Sequence, residues 1–579
     1  MIKKWNVAQF SETEIAQGNT LAQKLQMTPL VGRLLVHRGI TTEEEAEKFF
    51  HPSLKDLHDP FLMKDMDKAV ARLNKAVGNK EKIMVYGDYD VDGTTAVTLV
   101  YKYLRSTVCS ASELNYYIPN RDDEGYGISK QGIDYAHAWG AKLIIVLDCG
   151  IKAVEKIAYA KSLGIDFIVC DHHNPDDILP PAVAVLDAKR PDNTYPFEHL
   201  SGCGVGFKLM QAFARSNGFD EKRLYRHLDL LAVSIAADIV PIVGENRILA
   251  YFGIKQLNQN PSLGLKGIIR TAGLEGKPID MSSIVFKIGP RINASGRMMN
   301  GKESVDLLLA KDQESAKKKS ANINEYNMQR RELDKETTGQ ALTLMKESPD
   351  MHDQKLLVLY QPEWHKGVIG IVASRITEKY SRPTIVLTKN GNYISGSARS
   401  LGGFDVYKAI EHCKEFLVNF GGHTYAAGLT IKEDSLEAFT NMIQAYAHET
   451  VVPETLIPQI EVDAEIPIED VSLKLMHELK SMAPFGAGNE KPVFVSRYVR
   501  DAGGSKAVGK HAEHLKLDIT DRFRQIKPIN GIAFQQAKYT RDIKMQKPFS
   551  ICYTIEENNY STNTFLQLLV KDIRIEEEP

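Results

Sequence analysis

The chain has 579 residues, too many for one hydrophobic core, which implies three or four domains. Its 43% apolar and 25% charged composition is that of a globular protein, and no apolar run nears the roughly 18 residues that cross a bilayer. A net charge of -2 excludes a uniformly basic nucleic-acid binder, and six scattered cysteines with no Cys-x-x-Cys pair exclude a disulfide framework or zinc ribbon. The cysteines fit a reducing cytoplasm, and Met1-Ile2-Lys3-Lys4-Trp5-Asn6 lacks the apolar centre of a signal peptide, so a cytoplasmic protein with no membrane contact is expected.

Residues 1–75 are expected to form short helices, with a capping-box pattern in Thr41-Thr42-Glu43-Glu44-Glu45 ahead of Ala46, Phe49 and Phe50. From 76 to 299, apolar strands near 82–87, 113–118, 142–148, 166–170 and 182–187 alternate with helices such as 94–105 and 153–163. That alternation predicts an α/β domain on a parallel sheet. Across 300–348 Gly and Pro nearly vanish, and apolar groups recur at Ile323, Tyr326, Leu333, Ala341 and Leu344, as in a long connecting helix. Residues 349–452 begin a second, smaller α/β unit, with strands near 356–360 and 383–387 around a helix over 367–378. From 453 to 579, short strands near 493–498, 515–519, 549–554 and 565–570 predict a small β-barrel, for which the oligonucleotide-binding (OB) fold is one solution. No internal repeat or low-complexity tract interrupts this order.

Acidic and imidazole groups recur where the apolar runs stop. Ile83-Met84-Val85-Tyr86 opens into Gly87-Asp88-Tyr89-Asp90-Val91-Asp92-Gly93, Leu147 is followed by Asp148, Cys170 by Asp171-His172-His173, and an apolar helix ends on Asp238. In an open parallel sheet the reacting groups gather beyond the carboxyl ends of the strands. Oxygen-rich ligation with some imidazole suits Mn²⁺ or Mg²⁺. Three carboxylates as close as Asp88, Asp90 and Asp92 repel one another unless a cation neutralises them, and alternate positions after a strand would share a face. An EF-hand is excluded because the position six after Gly93 is Leu99, where a Glu is needed. Asp148 has a plain alternative as a helix N-cap. Asp238 precedes Ile239-Val240-Pro241, surroundings too apolar for an unpaired charge. His172 and His173, as neighbours in extended chain, point to opposite sides and so to different tasks, one on metal and one near substrate phosphate.

Positive charge is concentrated between Lys506 and Lys547, where ten Lys or Arg face four acids. The stretch includes Lys506, Lys510 and Lys516 and is interleaved with Phe523, Phe534 and Tyr539, with Phe549 just beyond. Basic grooves with stacking aromatics fit single-stranded nucleic acid, although most of these rings are expected in the barrel's own core. Trp364-His365 reads as packing at a helix start. Gly202-x-Gly204-x-Gly206 is a poor dinucleotide fingerprint because no strand directly precedes it, and no phosphate-loop string supports an ATP-driven motor.

In order and spacing, Asp88-Tyr89-Asp90-Val91-Asp92-Gly93, Asp148-Cys149-Gly150, Asp171-His172-His173 and Ala237-Asp238 resemble the four motifs of the DHH phosphoesterase superfamily. Gly421-Gly422-His423-Thr424-Tyr425-Ala426-Ala427-Gly428 resembles the signature of the DHH-associated domain. The strings 289–297, Gly-Pro-Arg-Ile-Asn-Ala-Ser-Gly-Arg, and 364–370, Trp-His-Lys-Gly-Val-Ile-Gly, are similar to the RecJ branch of single-strand exonucleases. The likeness runs from about residue 25 to the carboxyl end. It implies a DHH domain, a connecting helix, a DHH-associated domain and an OB barrel. It further implies a two-metal 5′→3′ exonuclease for single-stranded DNA, used in recombination and repair. Carried over by position, Asp90, Asp92, Asp148, His172 and Asp238 would be metal ligands, with Asp88 and His173 completing the catalytic site. Arg121, Ser397 and Arg399 would hold the 5′-terminal phosphate, and Arg291 and His423 would touch phosphates near the scissile bond. A single-strand binding protein and a RecQ-type helicase would be partners of a monomer. Two other readings remain open: a phosphodiesterase for small molecules or nanoRNA, and a non-catalytic single-strand-binding adaptor in replication.

Overall fold

Every residue of the strands Ile83–Gly87 and Leu143–Leu147 is buried, which is why their sequences run apolar without alternation. Each fully buried Leu, Ile or Val side chain there contributes about 1.5–3 kcal/mol relative to exposure. In the computed structural model, which describes residues 3–348, 351, 353–560 and 563–577, these strands are central in a parallel sheet. Its spatial order is Leu114–Tyr117, Ile83–Gly87, Leu143–Leu147, Asp166–Cys170 and Ala184–Leu186. All five lie within two residues of the expected bounds.

Helices cover the sheet. Gly202–Ser216 approaches so closely that a Cβ on Gly206 would lie 2.8 Å from Leu147 Cδ2, and one on Gly202 would lie 2.5 Å from Asp148 Cβ. The glycine run at 202–206 therefore serves close packing against the end of a strand. The 300–348 stretch is not one helix. It divides into Lys302–Leu308 and Gln313–Glu347, the second started by Asp312, whose side chain accepts from Ser315 N at 2.8 Å. The 35-residue helix spans about 50 Å. It buries Ile323 and Ala341 as expected, but also Asn327, Thr337 and Asp334, the last paired with Arg375 at 2.8 Å.

The second sheet orders as Leu417–His423, Ala426–Lys432, Tyr393–Arg399, Thr384–Asn390 and Leu357–Tyr360, antiparallel except for its last pair. Ile369–Tyr380 packs against it and against the long helix. The two sheets and the long helix belong to one compact unit, residues 53–456 with 486–488.

The other unit is made of residues 1–52, 457–485 and 489–579. Its strands Phe494–Asp501, Phe549–Tyr560, Asn563–Ile575, Ile529–Ala533 and His514–Thr520 close into a barrel, because Arg500 and Asp501 pair back with Thr520 and Ile519. The expected 1–75 helical segment is divided by the fold at residue 52. The early helices Glu12–Leu25 and Pro29–His37 put Leu21, Val31, Leu34 and Leu35 into the same core as Leu475, Phe494 and Phe549. An unexpected first strand, Lys4–Val7, pairs in parallel with Gln459–Val462. Among the described residues no helix is long and apolar enough to cross a membrane.

Candidate metal centre

Asp88 directly follows the strand Ile83–Gly87, and the chain then turns into the helix Val91–Thr107. Asp90 is that helix's N-cap, its Oδ1 accepting from Gly93 N at 3.0 Å, and Asp92 lies in the first turn. The expected strand-like alternation of the three carboxylates is therefore replaced by a helix start. Gly93 permits it, since a Cβ there would lie 2.4 Å from Asp88 O. Asp92 is 1% exposed and accepts from Gly202 N at 2.6 Å, Cys203 N at 2.8 Å and Ser234 Oγ at 2.7 Å. A buried anion held by a helix N-terminus is a stable arrangement.

Asp148 ends its strand in the left-handed region, φ 60°. The following helix begins only at Val154, so Asp148 caps nothing; Asp171 Oδ2 instead accepts from Ile151 N at 2.9 Å. His172 is 8% exposed, with Nε2 3.1 Å from Asp148 Oδ1, 3.6 Å from Asp238 Oδ2 and 3.7 Å from Asp92 Oδ2. Asp238 is the C-cap of Leu228–Ala237, and its neighbour Ile239 is 65% exposed, so the surroundings are wetter than the sequence implies. His173 does not point to the side opposite His172, as its sequence position implies; the two ring centroids are 4.7 Å apart, and His173 has Nδ1 2.7 Å from Asp171 Oδ1 and Nε2 3.3 Å from Tyr126 Oη. Tyr126 also donates to Asp148 O at 3.2 Å.

Three groups of donor atoms, each with all members within 4.8 Å, emerge: Asp148, His172 and His173; Asp92, His172 and Asp238; Asp88, Asp90 and Asp148. Together they contain all seven residues expected in the catalytic site. Burial, then the charge of Asp90, raises the Asp88 carboxyl. Burial, then Asp92, raises Asp90 and Asp148, and burial with Asp92 and Asp90 pushes Asp238 up to about 8. Burial works against the charge of His173, but the Asp171 hydrogen bond and charge outweigh it and push the imidazole up to about 9. Carboxylates that burial and each other keep from ionising are a donor set that divalent cations complete.

A cationic pocket belongs to the same unit. Arg399 donates to Ser397 Oγ at 3.0 Å and Ala398 O at 2.7 Å, and Arg121 lies 5.4 Å over the Tyr89 ring. Arg297 donates to Gly367 O at 3.1 Å. Burial, then Arg121, Arg399 and Arg330, pushes Arg297 down to about 9, still protonated at neutral pH. Among the described residues none of Arg121, Arg297 and Arg399 forms an ion pair. Gly370 makes the room, because a Cβ there would lie 2.8 Å from Ser397 Oγ and 2.9 Å from Arg399 Nη2. Arg297 escaped the sequence reading, although it ends the string that drew attention to Arg291. Arg291 itself joins a different neighbourhood, donating to Lys287 O, Thr271 O and Asn324 Oδ1. His423 stands at the end of Leu417–His423, where partial burial of its ring, then the charges of Arg399 and His173, lower its pKa. His365 accepts from Gly367 N at 3.0 Å, shaping the loop before a helix.

In the barrel unit, Lys506 stands directly opposite Lys516 in the pairing of Lys506–Val508 with His514–Thr520, and Lys510 lies in the turn between. All three are exposed. Of the four aromatics, Phe549 is core and Tyr539 packs against it, whereas Phe523 and Phe534 are exposed.

Three family models match the chain: the DHH family N-terminal domain over 82–235, the DHHA1 domain over 353–449 and the RecJ OB domain over 462–572. The chain is similar to the single-stranded-DNA-specific exonuclease RecJ of Bacillus subtilis, 34% identical over 577 residues that cover 99% of this chain and 71% of that protein. The protein of the same name from Escherichia coli is 32% identical over 571 residues, 95% of this chain and 96% of that one. Among solved structures, Thermus thermophilus RecJ in complex with Mn²⁺ superposes with a TM-score of 0.83 at 25% identity, covering 99% of this chain and 80% of that one.

Proposed function

The chain belongs to the RecJ family of single-stranded-DNA-specific exonucleases, and from that membership we propose that it hydrolyses single-stranded DNA from the 5′ end with Mn²⁺ or Mg²⁺, in recombination and repair. The observation that carries the reading is the approach of seven donor residues from four segments, in the same unit as three neighbouring arginines that form no ion pair among the described residues. Asp90, Asp92, Asp148, His172 and Asp238 would hold two divalent cations, with Asp88 and His173 beside them. When bound, the cations supply neutralising charge at the phosphoryl oxygens and a lower pKa for the attacking water. The chain does the rest. Arg121, Arg297, Ser397 and Arg399 bind a terminal phosphate, arginine being suited to it by a planar and permanently charged fork. Protonated His173, held by Asp171 and Tyr126, sets a positive charge against the developing negative one. Anchoring the terminal phosphate beside the cations would make cleavage begin at the 5′ end.

Buried Cys149, Cys170 and Cys203, all free thiols, fit a cytoplasmic site of action. The partners proposed, a single-strand binding protein and a RecQ-type helicase acting with a monomer, rest on the family resemblance. The small-molecule phosphodiesterase reading is disfavoured by the opposed Lys506 and Lys516, since a short substrate gives such a pair no polyanion to bind. The adaptor reading is disfavoured because no donor is missing.

The test compares 5′-labelled and 3′-labelled single strands with duplex over time. Mononucleotide release from the 5′-labelled strand first, and Asp148→Ala that still binds the strand but cuts it at least 10³-fold more slowly, are the outcomes expected. Undiminished cutting by Asp148→Ala would refute the site.

A further inference from the structure

The chain between the strand Leu114–Tyr117 and the helix Lys130–Trp139 carries Arg121 near its start and Tyr126 near its end. Arg121 belongs to the terminal-phosphate pocket, and Tyr126 touches the metal centre. Between them run Asp122-Asp123-Glu124. Three acids so close to an arginine ordinarily satisfy its charge, yet among the described residues Arg121 forms no ion pair. The fold engages two of them elsewhere and leaves Asp123 exposed.

Glu124 turns back into its own loop. Its Oε1 accepts from Asn120 N at 2.7 Å, and its Oε2 accepts from Tyr117 Oη at 3.0 Å and from Ser129 Oγ. One carboxylate therefore ties both ends of the loop, residues 120 and 129, to the strand before it. Hydrogen bonds to a charged acceptor are the strong ones, so the loop has a defined shape. Asn120 Oδ1 fixes the turn further by accepting from Asp122 N at 2.8 Å. Asp122 itself pairs with Lys366 at 3.4 Å, just before the Gly367 whose carbonyl accepts from Arg297.

The two ends of the loop then reach two places. Arg121, next to the tied Asn120, lies 5.4 Å over the ring of Tyr89, which stands between Asp88 and Asp90 in the chain. Gly125 and Gly127 both take left-handed backbone, φ 79° and 77°, and set Tyr126 between them. Tyr126 Oη donates to Asp148 O at 3.2 Å and lies 3.3 Å from His173 Nε2. Tyr86 Oη closes the loop from below by donating to Gly127 O at 3.1 Å, and Ser129 N donates to Tyr86 Oη at 3.1 Å. Tyr86 is fully buried on the strand that leads into Asp88, so the loop is seated on the element that carries the acids.

We propose that the loop 120–129 couples the terminal-phosphate pocket to the metal centre, with Glu124 as the positioning residue that sets Arg121 at one end and Tyr126 at the other. A phosphate held by Arg121 then fixes the same short loop that steadies Asp148 and His173, so that a correct 5′ end speeds cleavage as well as binding. This rests on the nuclease reading and deepens it, for it assigns the preference for a 5′-phosphate to kcat in addition to Kd.

The experiment uses the full chain as wild type, Glu124→Gln and Tyr126→Phe, with circular dichroism as the check of fold. Substrates are a 20-nucleotide oligothymidylate with a 5′-phosphate and the same strand with a 5′-hydroxyl. Cleavage is followed with Mn²⁺, and Kd is read by fluorescence anisotropy with Ca²⁺. Wild type is expected to favour the phosphorylated strand in both Kd and kcat. Glu124→Gln, which keeps the size of the side chain but loses the charged acceptor, should lower both preferences about tenfold while the hydroxyl strand stays within about twofold. Tyr126→Phe should keep the preference in Kd and lose about tenfold of the preference in kcat, since it cuts the link only at the metal end. Wild-type preferences in Glu124→Gln would overturn the coupling, as would a Tyr126→Phe that slows both strands equally. Should Glu124→Gln fail to fold, Tyr126→Phe decides alone. Wild-type protein that cleaves neither strand would instead sink the nuclease reading, and loss of the Kd preference in Glu124→Gln would still support the role of Glu124, its retention refuting it.

Discussion

Gly370 shows how one missing methyl shapes a site. Its Cα faces Ser397 Oγ and Arg399 Nη2 closely enough that any side chain collides with both. Gly370→Ala should displace Arg399, cutting kcat/KM on 5′-phosphorylated strands by about 10–100-fold, or about 1.4–2.7 kcal/mol of transition-state binding, with the fold unchanged. Steady-state kinetics alongside circular dichroism would check this. The carboxyls carry a second prediction. Asp238 is raised by burial and its acidic neighbours to about 8, and His173 by Asp171 to about 9, burial notwithstanding. A raised group gives stability that is complete below its unfolded pKa and lost as pH rises through the folded value. For Asp238 the window opens near pH 4 and for His173 near 6.5. The metal-free protein should therefore lose melting temperature between pH 5 and 9, and Mn²⁺ should restore it with proton release; a metal-free Tm that climbs over that range would contradict the account.

The legible elements and residues are those whose chemistry is local. Buried strands announce themselves as unbroken apolar runs, and the acids at their ends follow from the sheet's polarity. What stayed hidden depended on distant chain. Asp92 is held by Gly202 and Cys203 N–H groups, 110 residues or more away. Arg297 counts because Gly367 O and Arg399 meet it from the second sheet's unit of sequence. The helix break near 309–312 was missed because no Gly or Pro marks it; an Asp cap alone starts the next helix. In the barrel, the pairing of Lys506 with Lys516 is invisible without register. Like charges directly opposite destabilise a sheet, so Lys516→Glu should raise stability by about 0.2–1 kcal/mol. The same change should weaken long-strand binding and flatten its salt dependence. Chemical denaturation and binding measured on one preparation would show whether the two move in opposite directions.

For the molecule as a whole, the division at residue 52 changes how a truncation should be designed. Removing residues 458–579 would strip Leu21, Val31, Leu34 and Leu35 of the core that buries them. The expected result is an aggregating product, detectable by light scattering, and loss of activity in such a truncation would not report on the barrel alone. Point changes such as Lys516→Glu are the cleaner probe.

The same interruption has a consequence during synthesis. Helices Glu12–Leu25 and Pro29–His37 leave the ribosome more than 450 residues before Phe494 and more than 500 before Phe549. At about 5–20 residues per second, their greasy faces wait on the order of tens of seconds for company. A nascent chain arrested before residue 457 should stay cleavable by protease within its first fifty residues, while the long central insert already resists. Chaperones would find their earliest client surface there.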